Sequence, residues 1–396
     1  MSLPELKLRK NEERRLKAGH LWVFSNEVDV KATPLTAFKP GEQVQVVAQN
    51  GKPLGIAYVN PKSLIAARLL THGKAAPVIS GLIVHRLNQA LGLRKRLFDE
   101  PFYRLVFGES DGLPGLIVDR FDQVLVVQVS TAGMEAMKDD IIAALQKVVK
   151  PAGIVFQNHV PMRELEGLPL GEPDVIGDVP AMLDVVENGI RYAIDFGKGQ
   201  KTGWFFDQRE NRLKLPRYAE GKRVLDVFSY AGGWGLTAAK AGAGEVTLVD
   251  SSSSALAMAR QNAALNDVDL RLIEGDAFKV LADLREAGEK FDVVVVDPPA
   301  FIKRKKDYKA GLAAYQRINQ AALQVLETDG ILVSCSCSQH LSEQDLARAI
   351  QRAARHVDRF AQILEHCHQA SDHPEHPAIP ETRYLKGYVT RILPGT

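Results

Sequence analysis

Four aspartates and one cysteine sit where apolar runs end, and residues of these types there could bind a cation, hold a sugar and attack a carbon. The run ending Val224-Leu225-Asp226 passes into Phe228-Ser229-Tyr230-Ala231-Gly232-Gly233-Trp234-Gly235. Glycines in such a turn let a ligand approach the backbone, and the helix N-terminus that follows suits an anionic group. The spacing is not G-x-G-x-x-G, and a tight strand-to-helix turn alone would use the same residues. Asp226 precedes the glycines, where a carboxylate can take the amino group of a zwitterionic amino acid. Asp250 ends the next run, 24 residues on, where an acid can accept from ribose hydroxyls. Asp276 follows the third run; it could accept from an adenine amino group, with Ala277 giving a backbone donor, or simply cap a helix. Val293-Val294-Val295-Val296 leads into Asp297-Pro298-Pro299-Ala300-Phe301, where two prolines stiffen the backbone that carries Asp297. Ser336-Cys337-Ser338 closes the fifth run. A thiol there is a candidate nucleophile, whereas a lone cysteine is more often a small buried hydrophobe. By this reading Cys335 belongs to the core and Cys367 is structural.

The elements that must position these residues follow from the hydrophobic pattern. From about residue 221, the runs Arg223–Phe228, Glu245–Val249, Leu270–Ile273, Phe291–Val296 and Ile331–Cys335 alternate with helical segments. Continuous apolar strands separated by helices predict a parallel sheet covered on both faces, with ligands beyond the C-terminal strand ends. Upstream the texture is different. Residues 1–80 predict short strands at Gln43–Ala48, Leu54–Val59 and Ala66–Leu70, a hairpin at Asn50-Gly51 and a short helix over Asn11–Ala18. A helix over Ile79–Phe98 leads into strands Leu105–Phe107, Leu116–Asp119 and Val124–Ser130, then helix Ala136–Val149 and strand Gly153–Gln157. Asn188-Gly189 is a second hairpin signal, between Asp184–Glu187 and Ile190–Ile194. Three domains are expected, at 1–80, 81–190 and 191–396.

The chain has 396 residues and a net charge of +2, so bulk charge names no partner. Residues 1–80 carry a net +6 and the remainder −4. A basic module on a slightly acidic body suits a polyanion, and a solvated surface would look the same. Three cysteines without paired spacing give neither a metal site nor a disulfide framework, so no metal is expected. No membrane-spanning run or secretion signal is visible, and a cytoplasmic protein is the default.

Together these residues resemble class I S-adenosylmethionine (SAM)-dependent methyltransferases. More closely they resemble the bacterial 23S ribosomal RNA large-subunit methyltransferase I family, which makes 5-methylcytosine. The resemblance covers nearly the whole chain. It includes Gly19-His20-Leu21-Trp22-Val23-Phe24, the Gly108–Asp119 hairpin and Lys201-Thr202-Gly203-Trp204-Phe205-Phe206-Asp207-Gln208-Arg209. Asp-Pro-Pro-Ala-Phe, Ser336-Cys337-Ser338, Asp372-His373-Pro374 and Tyr384-Leu385-Lys386-Gly387 complete it. The implied architecture is α/β: a C-terminal doubly wound, Rossmann-like methyltransferase domain, an N-terminal PUA-like small β barrel that binds RNA, and a central α+β domain with a hairpin.

The resemblance implies SAM contacts at Gln208, Arg209, Asp226, Phe228, Gly232, Asp250, Asp276, Ala277 and Asp297. It implies RNA contacts at Arg14, Arg15, His20 and Trp22. Lys303, Arg304, Lys305 and Lys306 follow the Asp-Pro-Pro turn and suit RNA phosphates, or a solvated loop. Catalysis would rest on Cys337, as the thiolate that adds to carbon 6 of cytosine, and on Asp297 at N3. The base would have to be unstacked, so single-stranded or remodelled rRNA is the expected substrate, free or partly assembled. A homodimer is left open. Many RNA 5-methylcytosine enzymes carry a second cysteine after the prolines; here that position is Ala300, which leaves the group that removes the carbon 5 proton unassigned. Two rivals remain: methylation of a guanine nitrogen in rRNA, which needs no thiol, and a non-catalytic SAM-binding ribosome-assembly factor.

Overall fold

A computed structural model describes residues 3–73, 80–195 and 203–395. Ile79, Lys201 and Thr202, named above, lie outside the described residues. The chain divides into two compact units. One runs through Ala181 and includes Asp372–Thr382; the other takes Met182 onward apart from that segment.

The first unit holds two five-stranded sheets. Strands β1 (Glu5–Lys7), β2 (Trp22–Phe24), β3 (Gln43–Val47), β4 (Pro53–Val59) and β5 (Ile65–Leu69) pair in the order β1-β3-β4-β5-β2. A helix at Glu13–Lys17 precedes β2. The second sheet, β6 (Phe102–Phe107), β7 (Leu116–Phe121), β8 (Val124–Val129), β9 (Gly153–Phe156) and β10 (Asp174–Gly177), pairs β10-β9-β8-β7-β6. Helices Ser80–Leu97 and Lys138–Val148 accompany it. Residues 1–80 and the following sheet belong to one unit because buried polar side chains fasten them together. Tyr58 donates to the Pro114 carbonyl at 2.7 Å, Asn60 donates to Glu166 at 2.7 Å, and Arg68 pairs with Glu166 at 3.0 Å. Pairs this deep hold where solvent-exposed ones would not.

The hairpin β11 (Leu183–Glu187) and β12 (Ile190–Ile194), joined at Asn188-Gly189, groups with the second unit. A boundary at 190 would cut through its second strand. Seven strands make the main sheet: β13 (Arg223–Val227), β14 (Glu245–Asp250), β15 (Arg271–Glu274), β16 (Phe291–Val296), β17 (Leu326–Ser336), β18 (Arg359–His368) and β19 (Lys386–Pro394). Their order is β15-β14-β13-β16-β17-β19-β18; the first five run parallel, and β19 runs antiparallel to both of its neighbours, β17 and β18. Side chains alternate across the sheet. Leu225, Val227, Val294 and Val296 enter one core with Tyr315, Ile318 and Leu323; Val224, Val293, Val295 and Val333 enter the other with Trp234 and Ala238. Strand order reverses between β13 and β16, and the crevice of an open α/β sheet opens at such a switch point. Asp226 and Asp297 belong to these two strands' C-terminal ends.

Candidate active site

The β13 turn is the most constrained backbone at the crevice. Phe228 has φ 66°, Tyr230 φ 49° and Gly232 φ 86°. Left-handed conformations cost a side-chain-bearing residue free energy and need external support. That support is visible. The Val249 carbonyl accepts from Phe228 N at 2.9 Å, and Asp250 Oδ2 accepts from Tyr230 N at 2.9 Å. The positive φ favours glycine at 232, and a Cβ there would lie 2.5 Å from Leu236 Cδ1, so that leucine would also have to move. Asp226 is fully buried; its Oδ2 accepts from Gly235 N at 2.9 Å, while Oδ1 and the neighbouring Ser229 Oγ have no partner among the described residues. Burial pushes the Asp226 carboxyl up to about 7, against the Gly235 N–H bond, with nearby Asp297 adding to the rise. An uncompensated acceptor beside a strained turn is what an ammonium group would satisfy.

Asp250 is committed on both oxygens, the second accepting from Ser252 N at 2.9 Å. A ribose would share its remaining lone pairs. Ser252 caps the next helix by accepting from Ala255 N. Asp276 is also a cap: its Oδ1 accepts from Phe278 N and Lys279 N. Ala277 is buried behind it.

Asp297 leaves β16 toward the Trp234 side. Its Oδ2 accepts from Gln208 Nε2 at 2.9 Å and Trp234 Nε1 at 3.1 Å. Burial pushes its carboxyl up to about 6, against the Trp234 bond, and the Asp207 charge adds to the rise. Gln208 is itself held, since its Oε1 accepts from Asn211 Nδ2 at 2.7 Å. Arg209 is buried and packs over the Phe206 ring, with its guanidinium 3.7 Å from Glu187. Glu187 also pairs with Arg212 at 2.5 Å and accepts from Trp204 Nε1 at 2.8 Å. The Asn188-Gly189 turn thus delivers the carboxylate that locks the Gln208–Arg212 segment. Sequence reading singled out neither Glu187 nor Arg212; an acid just before a hairpin turn gives no sign of its distant partner.

Cys337 lies just past β17 and is partly exposed, whereas Cys335 and Cys367 are buried. Contact with Cys367 and burial push the Cys335 thiol up, in keeping with a core position. The Cys337 loop is clamped on both sides. Tyr315 Oη lies 2.8 Å from Ser336 Oγ and 2.7 Å from Ser338 Oγ, and Ser338 N donates to Ser336 Oγ at 3.1 Å. Ile302 N donates to Ser338 Oγ at 3.1 Å, and Phe301 N to Tyr315 Oη at 3.4 Å. One phenol therefore fastens the Asp-Pro-Pro-Ala-Phe loop to the Ser-Cys-Ser loop. Tyr315 was not legible as a site residue, because a tyrosine in an amphipathic helix reads as core. Tyr315→Phe is expected to lower stability by about 1–3 kcal/mol, because buried hydroxyls and an N–H lose a partner. Chemical denaturation checks this, and an unchanged midpoint would mean that the loops are held by other contacts.

In the first unit Arg14 is exposed. Arg15 pairs with Glu27 at 2.6 Å and stacks over Phe24. His20 is only 8% exposed, and its Nδ1 accepts from Trp22 N. Trp22 Nε1 donates to Glu109 at 2.9 Å. Three of the four basic and aromatic residues expected to touch RNA here are therefore engaged within the protein. Lys303, Arg304, Lys305 and Lys306 are all exposed, with Arg304 held by Asp307 at 3.0 Å. Among the described residues no cluster suits a metal ion, and no helix is long and apolar enough to cross a membrane.

The pattern of the S-adenosylmethionine-dependent methyltransferase family matches residues 172–391, and that of PUA-like domains residues 6–72. The ribosomal RNA large subunit methyltransferase I of Salmonella arizonae is 39% identical over 400 residues, with 98% of each chain covered. Its counterpart from Klebsiella pneumoniae is 38% identical over 397 residues, again with 98% of each covered. A methyltransferase structure complexed with S-adenosylhomocysteine superposes with a TM-score of 0.84 at 20% identity, covering 98% of this chain and all of that one. A SAM-dependent methyltransferase from Streptococcus mutans gives 0.82 at 20% identity, with the same coverage. The likeness to the two structures speaks for the shared fold, and the likeness in sequence along nearly the whole length goes further: the chain belongs to the ribosomal RNA large subunit methyltransferase I family, with a PUA-like domain and a SAM-dependent methyltransferase domain.

Proposed function

We propose that this SAM-dependent rRNA methyltransferase methylates carbon 5 of a cytosine in 23S rRNA through a covalent bond from Cys337 to carbon 6. The observation that carries this reading is the clamp of Tyr315 and Ser338, which joins the Cys337 loop to the Asp297 loop at the C-terminal edge of the sheet. A nitrogen methyltransferase has no need of a thiol held in that way.

Bound SAM supplies an electrophilic methyl group. Asp226 Oδ1 and Ser229 Oγ, buried without partners among the described residues, fit the ammonium of its methionine part, and Asp250 fits the ribose. Asp276 and Ala277 would border the adenine, with Gln208 and Arg209 lining the wall near Asp297. On the substrate side, the Cys337 sulfur forms a bond to carbon 6. The carbon 5–carbon 6 electron pair moves between carbons 4 and 5, and N3 takes a proton from Asp297. A carboxyl raised to about 6 by burial keeps that proton more readily than an exposed aspartate does. Carbon 5 of the resulting enamine would then take the methyl that SAM supplies; loss of the carbon 5 proton to solvent would expel the Cys337 thiolate, and N3 would return its proton to Asp297. The exposed Arg14 and Lys303–Lys306 are proposed contacts for RNA phosphates.

Mapping 5-methylcytosine in 23S rRNA from cells lacking this protein tests the reading. One cytosine should lose its methyl group and regain it when the gene is restored. An unchanged cytosine map alongside a lost methylguanine would transfer the activity to nitrogen.

The raised carboxyls also predict how SAM binding varies with pH. Asp226 is protonated below about pH 7 and cannot then hold an ammonium ion. Affinity is therefore expected to rise as pH rises, by roughly tenfold between pH 6 and 8, with proton release on binding near neutrality. Calorimetry in two buffers of different ionisation enthalpy measures both. Asp226→Asn should flatten the profile and weaken binding at pH 8; a flat wild-type profile would remove Asp226 from ammonium recognition.

A further inference from the structure

We propose that Lys386 is a positioning residue that keeps the Cys337 sulfur in its thiolate form, an assignment that rests on the reading of Cys337 as the nucleophile. Lys386 opens β19 and lies opposite Ser336 in the antiparallel register with β17. Its Nζ donates to the carbonyl of Ser338, the residue after Cys337, at 2.7 Å. The side chain therefore spans the cysteine from the residue before it to the residue after it. Gly387, next along the strand, allows this close approach: a Cβ there would lie 2.8 Å from the Ser334 carbonyl oxygen and 2.9 Å from Cys335 Sγ.

Lys386 is only 5% exposed, and no carboxylate among the described residues lies within ion-pair distance of its Nζ. A buried ammonium whose described partner is a neutral carbonyl is costly unless it loses its proton or gains an anion. The ionisable groups that bear on it are Cys337, Glu343 and Arg383. Arg383 pairs with Glu343, so that carboxylate is already shared. Tyr315, whose hydroxyl bonds the serines on either side of Cys337, is held neutral by burial. The remaining source of negative charge is the Cys337 thiolate. Burial pulls the lysine down to about 8, and the cysteine opposes that fall, as expected of groups that stabilise one another's charged forms. Deprotonation sends the thiol proton to solvent; the ammonium keeps its own three protons and a bond to Ser338 while the sulfur attacks.

The test is the pH dependence of Cys337 alkylation by iodoacetamide in the full-length protein without RNA, read by mass spectrometry of the Cys337 peptide. Cys335 and Cys367 are buried and separately identifiable. The wild-type midpoint should lie at least about one unit below the ordinary thiol value of about 8.5. Lys386→Met should raise it by about one unit or more, and lower methyl transfer at neutral pH about tenfold or more, with SAM affinity within about twofold. A wild-type midpoint at or above the ordinary value overturns the proposal, and this needs no variant to fold. So does a Lys386→Met protein that binds SAM and alkylates with the wild-type profile. Because no RNA is present, these outcomes stand apart from the Cys337→Ala methylation assay, which tests the nucleophile itself.

Discussion

Cys337→Ala is expected to lower methyl transfer at least about 10⁴-fold while leaving SAM affinity within about twofold of wild type. Carbon 5 of cytosine is too electron-poor to take a methyl cation unless carbon 6 is first attacked. Losing the attacking atom therefore removes the route, not merely a contact. The fold should tolerate the change. The side chain is partly exposed and lies beyond the end of β17, and the clamp on its loop uses Ser336, Ser338 and Tyr315. Filter binding of labelled methyl groups on unmethylated 23S rRNA measures transfer, and calorimetry measures SAM. Retention of a tenth or more of the activity would eliminate the covalent mechanism and favour transfer to a nitrogen. Loss of SAM binding alongside transfer would instead place the sulfur in the cofactor seat. Cys335→Ala is the matched control. It removes a buried thiol from the core and should affect stability more than transfer.

The five parallel strands were legible because each is a continuous apolar run between helical segments. The aspartates' placement at or near the C-terminal ends of these strands was legible from where the apolar runs stop. The antiparallel strands β18 and β19 were not. Arg359–His368 mixes exposed Phe360, Ile363 and Leu364 with polar residues, and an edge strand need not show the pattern of a buried one. The role of Lys386 was hidden for another reason: β19 is an inner strand, and the residue's value lies in its register against Ser336, which only the β17–β19 pairing reveals. Asp276 shows a different limit. Its cap bonds and an adenine contact ask for the same residue type at the same place, so type and spacing cannot separate them. His20 and Trp22 mark a third. Their aromatic, basic character suits RNA, but the partners that occupy them, Glu27 through Arg15 and Glu109, come from elsewhere in the chain.

Asp297→Asn is expected to lower kcat/KM about 10²–10⁴-fold, the range for loss of a positioned proton donor. The substitution keeps the size of the side chain and one oxygen that can accept from Gln208 and Trp234. What it loses is an acid able to give a proton to N3 as carbon 6 is attacked. The sign of the pH dependence follows. On the proposed mechanism the productive form has Asp297 protonated and Cys337 ionised, so wild-type kcat/KM should show an Asp297 limb that falls above about pH 6. A second limb should rise as the thiol ionises. In the Asn variant the falling limb should disappear and the rising one remain. Steady-state rates from pH 5 to 9 on a 23S rRNA fragment resolve the two. A nitrogen acceptor predicts otherwise: it needs only an oxygen to receive an amino N–H, which asparagine supplies, so activity within tenfold of wild type and an unchanged profile would sink the carbon 5 assignment. The stability of the free protein adds an independent check. Burial holds Asp297 above the ordinary carboxylate range, so its contribution is present below about pH 4 and is lost as pH rises through about 6. The Asn variant should therefore gain on wild type as pH rises across that window, even while it loses catalysis.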